Sequence, residues 1–270
     1  TQDTINAALE PLRALCRKEP HVREITCLYS PWEHEIILAF LTDKRLTSTR
    51  RFEQLIGTTR IKGVVLTQPD KEVSYKRTGP DSTELKAGDW TFRVHARAFV
   101  QNNPSLYDAF LSVVERYIAK GSRALDIYSG MGFFSLLLSR YYKTVTGIES
   151  DYYSYRNALF NKKANNISNV RFVNASFEDA DLEEKMQFRV ADNPIDCALI
   201  DPPRIGMSKD AIARLLEFAP KRIVYVSCEP ATLARDIKLI SERYDYVESV
   251  MLDMFPQTGH LESVTLLVRK

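Results

Sequence analysis

Cys228 stands where an apolar run ends and a helix is expected to begin, in "VYVSCEPATLARD" (224–236). A thiol is a nucleophile as its thiolate, and the positive end of a helix opening at Pro230 favours that form. Further on, "MFPQTGHLESV" holds His260 and Glu262, and Glu262 is a candidate proton acceptor. Upstream, "IDPPR" (200–204) sets Asp201 before two prolines that stiffen the backbone, with Arg204 next. A rigid polar loop of that kind suits a flat acceptor such as a base. "DIYSGMG" supplies Gly130 and Gly132 for a tight turn open to a ligand, and Glu149 stands where a carboxylate can accept both ribose hydroxyls of a nucleoside. Each group also has a plainer reading. An isolated cysteine is commonly buried and inert. Glu262 heads the last expected strand, His260 is a loop residue, Arg204 is a surface cation, and the glycines make a turn.

What decides between these readings is the set of elements that positions the residues. From Pro104 onward the sequence predicts a helix over 105–119. Strands then alternate with helices: strand 123–128, helix 132–141, strand 144–149, helix 151–165, strand 169–174, helix 177–188, strand 195–201, helix 208–217, strand 222–227 and helix 230–242. Two strands, 245–253 and 262–269, complete a seven-stranded, mostly parallel α/β sheet with one antiparallel strand at its edge. Ligands bind such sheets beyond the carboxyl ends of the strands. Gly130 and Gly132, Glu149, Asn174 and Ser176, Asp201, and Cys228 occupy those five corners in turn, while the strands themselves are apolar. Ser135 stands where a dinucleotide site would place its third glycine, which leaves room for S-adenosylmethionine.

Residues 1–92 read as a separate small α+β domain, and 93–270 as the catalytic one. The first contains a helix over 4–18 with a break at Pro11, strands near 25–29 and 35–41, a helix near 47–56, and strands at 61–67, 72–77 and 90–95. Between residues 44 and 62, six basic residues, Arg50 and Arg51 among them, face one acidic residue, Glu53. Two readings stand, a solvated helix face and a phosphate-contacting patch.

The whole chain of 270 residues carries a net charge of +2, which does not by itself announce nucleic acid. No apolar run reaches the roughly 18 residues of a membrane span. Cys16, Cys27, Cys197 and Cys228 form no C-x-x-C pair, so neither a metal nor an iron–sulfur site is expected, and a reducing cytoplasm is. The chain opens on Thr1 rather than Met, which fits a truncated or processed chain.

Taken together, "FVQNN" (99–103), "LDIYSGMGFFSL" (125–136), "GIE" (147–149), "IDPPRIG" (200–206), "VYVSCEPATLARD" and "MLDMFPQTGHLES" (251–263) resemble the RNA uracil-5-methyltransferase family, most closely its 23S ribosomal RNA branch. The resemblance is close over 97–270 and loose over 1–96. It implies a class I, Rossmann-like methyltransferase fold, S-adenosylmethionine as cofactor, RNA as partner and a monomeric, cytoplasmic enzyme without a membrane partner. Ribosomal RNA is favoured over transfer RNA. It also implies roles: Cys228 as the nucleophile that adds to carbon 6 of uracil, and Glu262 as the base that removes the carbon-5 proton. Gln101, Tyr128, Gly130, Gly132, Glu149, Ser176 and Asp201 match cofactor positions, and Asp201 and Arg204 face the substrate. The chain departs from the family at Glu229, often Asn, which sets a negative charge beside the thiol, and at Phe133, often polar. The N-terminal barrel and the four-cysteine cluster that many members carry have no match here. Other readings are a different methyltransferase and a non-catalytic RNA-binding chaperone. Arg204 argues against an adenine-N6 enzyme, which wants an aromatic residue there. A cytosine-5 enzyme wants a cysteine in the fourth-strand motif. The pairing of Cys228 with Glu262 argues against the chaperone.

Overall fold

The computed structural model describes residues 2–69 and 74–270, which divide into two compact units. One reaches to Lys86 and adds Thr91–Phe99; the other joins Ala87–Trp90 to Val100–Lys270.

In the first unit, helix α1 (Gln2–Cys16) continues through Pro11 rather than breaking there. A four-stranded sheet follows: β1 (Val22–Ser30), β2 (Glu35–Thr42), β3 (Ile61–Thr67) and β4 (Lys76–Thr78), adjacent in that order. Ala8, Leu12 and Leu15 of α1 pack with Ile36, Leu38, Phe40 and Leu66 of the sheet and with Phe52 and Leu55. The strand expected over 72–77 falls partly outside the described residues. The helix expected over 47–56 is a single turn, α2 (Arg50–Glu53). Turns replace its continuation, with the Thr58 hydroxyl bonded to the Leu55 carbonyl and the Gly57 N–H to that of Ile61. A hairpin of β5 (Ser82–Ala87) and β6 (Trp90–His95) follows, with its turn, Ala87–Trp90, counted in the second unit.

The second unit begins with α3 (Tyr107–Tyr117) and then winds β7 (Gly121–Ile127), α4 (Phe133–Leu138), β8 (Tyr142–Glu149), α5 (Tyr152–Ala164), β9 (Val170–Asn174), α6 (Leu182–Met186), β10 (Cys197–Ile200), α7 (Lys209–Phe218), β11 (Arg222–Ser227), α8 (Pro230–Ile240), β12 (Tyr244–Leu252) and β13 (Glu262–Arg269). All four residues of β10 are buried, as befits a strand covered on both faces. The helix expected over 177–188 shortens to α6. The carboxylates of Glu178 and Asp179 turn back onto Ser176, a local alternative to helical bonding.

The seven strands stand in the order β9-β8-β7-β10-β11-β13-β12. Chain direction reverses its march across the sheet between β7 and β10, the switch point where a ligand crevice opens. One expectation is corrected here. The antiparallel strand, β13, is not the edge: it inserts between β11 and β12, antiparallel to both. Composition explains the order. β13 is mostly buried, whereas β12 is largely exposed and suits the outer place. The consequence is chemical. Because β13 runs against its neighbours, its first residue, Glu262, arrives at the edge where the parallel strands end.

Candidate active site

The pairing register assembles the site. Ser227 lies opposite Ser263 across β11 and β13, and the Ser263 hydroxyl donates to the Ser227 carbonyl at 2.9 Å. One step beyond that pair, Cys228 and Glu262 come together. On the other side of β11, β10 ends two residues short of it (Ile200 opposite Tyr225, with β11 running on to Ser227) and delivers Asp201. The Asp201 N–H closes onto the Ile127 carbonyl of β7 at 3.2 Å. Gln101 is buried and donates from Nε2 to Asp201 Oδ2 at 3.0 Å, while its own carbonyl accepts from the Tyr107 hydroxyl.

Few charges offset one another here. Glu262 is 2 % exposed, and its Oε1 has no hydrogen-bond partner. Burial, and then the neighbouring Asp201, push its carboxyl up to about 8. Burial also raises Asp201 to about 7, against the bond from Gln101. Cys228 is raised too, by burial first and then by Glu262 and Asp201, with Arg204 pulling the other way. The thiolate expected from the helix start is therefore not the resting form: burial first, and then the two neighbouring carboxyls, oppose its ionisation.

Glu229 has a structural role. It caps α8, its side chain accepting weakly from Ala231 N–H at 3.4 Å, with Pro230 in the first turn as expected. Its N–H also bonds the Ser227 hydroxyl at 3.1 Å. His260 is turned toward Phe255, ring centroids 6.0 Å apart.

The other half of the edge holds the turns that follow β7 and β8. Tyr128 and Gly130 both have positive φ (62° and 55°), and Gly132 (88°) caps α4. A Cβ on Gly130 would meet open space, whereas one on Gly132 would come within 2.8 Å of the Phe172 ring. A bulky residue at positive φ costs on the order of 1–3 kcal/mol, the kind of strain found at ligand turns. Glu149 closes the turn, accepting from Gly130 N–H at 2.8 Å and Asp151 N–H at 2.6 Å. Ser129 Oγ is buried in the turn without a partner, so an acceptor or donor from a ligand has a place there. Ser176 bonds Glu178, which also accepts from Ser208 at 3.0 Å and from Tyr128 at 3.5 Å.

Sequence reasoning missed two members of this region. Glu178 lies in an acidic stretch ("EDADLEE", 178–184) that gives it no distinguishing signal. Asp126 was legible as the one carboxylate in an apolar strand. It is fully buried, pushed by desolvation to about 7, and accepts from Ser135 Oγ at 2.5 Å. Ser135, read only as a missing glycine, thus ties α4 to β7.

Arg50 and Arg51 belong to the first unit, and the Arg51 guanidinium engages Glu19 at 2.8 Å and the Lys18 carbonyl at 3.2 Å. Among the described residues no three His, Cys, Asp or Glu gather as around a metal ion, and no helix is long and apolar enough to cross a membrane.

The family model described as tRNA (Uracil-5-)-methyltransferase matches residues 33–270. A relative from Aquifex aeolicus named an uncharacterized RNA methyltransferase is 29% identical over 98% of the chain and 62% of its own length. One of the same name from Enterococcus faecalis is 40% identical over 67% of the chain and 39% of its own. The chain thus spans about two to three fifths of these relatives. The solved Pyrococcus abyssi tRNA (uracil-54, C5)-methyltransferase in complex with S-adenosyl-L-homocysteine superposes with a TM-score of 0.73, 25% identity, and coverage of 97% of this chain and 66% of that one. The Methanocaldococcus jannaschii tRNA m1G37 methyltransferase shares the fold at 13% identity, with a TM-score of 0.54 and coverage of 87% and 73%.

Proposed function

Since the chain belongs to the tRNA (uracil-5-)-methyltransferase family, we propose that it methylates carbon 5 of a uridine in RNA. The observation that carries this is the register that sets the Cys228 thiol against the Glu262 carboxyl, with Asp201 beside both. S-adenosylmethionine supplies the methyl group as an electrophile on a sulfonium. The open space over Gly130, the unpartnered Ser129 hydroxyl and the oriented Glu149 carboxylate fit its nucleoside. Tyr128 and Ser176 border that fit, and Gln101 with Asp201 stands between it and the thiol.

Carbon 5 of uracil is a weak nucleophile. Addition of the Cys228 sulfur to carbon 6 moves the ring's π electrons onto carbon 5 and the adjoining carbonyl, an enolate that accepts the methyl. Glu262 then takes the carbon-5 proton, the electrons of that C–H bond rebuild the double bond, and the sulfur leaves. The target base must leave its stack to reach a thiol at this depth. Arg204 favours sulfur ionisation, as does a backbone hydrogen bond at Cys228, and a hydrogen bond from the base to Asp201 would spread that carboxylate's charge and assist it. Substrate identity has two supports: the motif resemblance favours 23S ribosomal RNA, and the Pyrococcus enzyme acts on transfer RNA.

Incubation with total RNA and labelled cofactor, followed by mass mapping, should yield 5-methyluridine at one position. Label at an adenine or cytosine would overturn the assignment. Full turnover by Cys228→Ala would overturn the mechanism.

A further inference from the structure

The last residues of "VYVSCEPATLARD" have no assigned part in the proposed reaction, yet they make a closely bonded cluster near Cys228. Asp236 of α8 has no exposed surface. Its Oδ2 accepts from the Tyr225 hydroxyl of β11 at 2.7 Å and from the Met207 N–H at 2.8 Å. Its Oδ1 lies 2.8 Å from Arg235 Nε and 2.7 Å from Nη2. That same Nη2 reaches the carbonyls of Ile205 at 2.9 Å and Met207 at 3.0 Å. One turn earlier, the Thr232 hydroxyl lies 3.1 Å from the Arg204 carbonyl and 3.0 Å from that of Glu229.

Three elements therefore meet on one carboxylate. They are β11, whose next residue is Cys228; α8, which Glu229 caps; and the loop 201–207, which carries Asp201 and Arg204. The loop's backbone is held by side chains of the helix at Arg204, Ile205 and Met207 rather than only by its own turn. Its closest approach is at Gly206, with φ +74°. There a Cβ would come within 2.6 Å of Asp236 Oδ2 and 2.7 Å of Arg235 Nη2. A buried aspartate inside a helix costs both helix propensity and desolvation, so its filled hydrogen bonds identify what it is for.

We propose that Asp236, braced by Arg235, is a positioning residue that fixes the separation between the Cys228 sulfur and the Asp201–Arg204 loop, and so sets where a base must lie to be both held and attacked. This rests on the reading of Cys228 as the nucleophile. A loop freed from α8 would still let cofactor and RNA bind, but would misplace the base against the sulfur.

The test combines Arg235→Ala, Arg235→Lys, Thr232→Val and Gly206→Ala. Arg235→Ala should lower kcat about 10- to 100-fold, the order expected for a misplacement of about 1 Å at reacting atoms. Dissociation constants for S-adenosylhomocysteine and RNA should stay within about twofold, since no bond to either passes through this cluster. Arg235→Lys should recover only part of the loss, because a single ammonium cannot span the carboxylate and two carbonyls. A second readout needs no substrate. Alkylation of Cys228 by iodoacetamide, located by peptide mass, is followed against pH. Arg204 opposes the carboxylates only while its loop is held, so the alkylation midpoint should move to higher pH in Arg235→Ala and Gly206→Ala. An unchanged alkylation profile with unchanged kcat, whatever the change in melting temperature, would reduce the cluster to a fold brace and overturn the proposal. Should Arg235→Ala fail to fold, Thr232→Val and Gly206→Ala pose the same question from the loop side. Should the wild type make no 5-methyluridine, the functional reading fails, and the alkylation profiles still decide the brace.

Discussion

Glu149 and Glu262 invite comparison, since both are glutamates at the same edge of one sheet. Glu149 ends β8 and its carboxylate is held by two backbone N–H groups. Glu262 begins β13, is nearly inaccessible, and leaves Oε1 unbonded. Burial raises both, but at Glu149 the bonds from Asp151 and Gly130 oppose it, while at Glu262 Asp201 adds to it. A carboxylate bonded in advance is suited to holding hydroxyls without changing state. One stranded near neutrality is suited to moving a proton. On the proposed reading, binding and chemistry are divided between two halves of a single edge.

The largest effect that would sharpen this division is expected from Glu262→Gln. Turnover should fall by at least about a thousandfold, and a methylated RNA–protein adduct should persist on denaturing gels, with cofactor affinity unchanged. Loss of cofactor binding instead would erase the distinction. Glu149→Ala should do the reverse. It removes hydrogen bonds of roughly 1.5–3 kcal/mol to a charged group, so the cofactor Kd should rise about 10- to 100-fold while kcat at saturation is largely retained. The pH profile follows from the sign of the Glu262 shift. Its carboxyl must be ionised to take the proton, and burial places that ionisation near pH 8. Single-turnover product release should therefore rise from pH 6 through 8, with adduct accumulating at the acid end. A flat profile would separate Glu262 from the proton transfer. Smaller is the stability effect. A carboxyl raised from its ordinary value stabilises the fold only while protonated, so that contribution is lost as pH rises toward and through 8. Glu262→Gln should melt higher than wild type at pH 8.5, by a few degrees for about 1 kcal/mol, with the gap closing toward pH 5. Smallest is the change at Arg50 and Arg51. Charge reversal there should weaken RNA affinity modestly and lower its salt dependence; unchanged affinity would leave that segment a solvated turn.

The parallel half of the sheet was legible from residues alone, because each apolar run ends in a polar or glycine corner. Cys228, Glu149 and Asp201 fell out of that pattern directly. Other features were masked by local chemistry. Glu262 read equally as a strand head, since only the pairing of Ser227 with Ser263 brings it to the thiol. The hairpin strand β5 hid between turn-rich stretches, although its inward residues alternate strictly. Nothing in the sequence sets Asp236 apart from an ordinary helix charge, because its partners lie 29 residues back at Met207 and on the strand β11. The charge of Glu229 suggested interference with the thiol; its capping bond explains why a side-chain acceptor is kept at that place.

The insertion of β13 between β11 and β12 also orders events during synthesis. A nascent chain that has emerged as far as Cys228 carries the thiol but lacks its base, because Glu262 is made later and reaches the edge only when β13 pairs with β11 and β12. Under the proposed mechanism, that half-made polypeptide would lack the group that takes the carbon-5 proton. On that reading, pairing of the final strand is the step that completes the site, last in the order of translation.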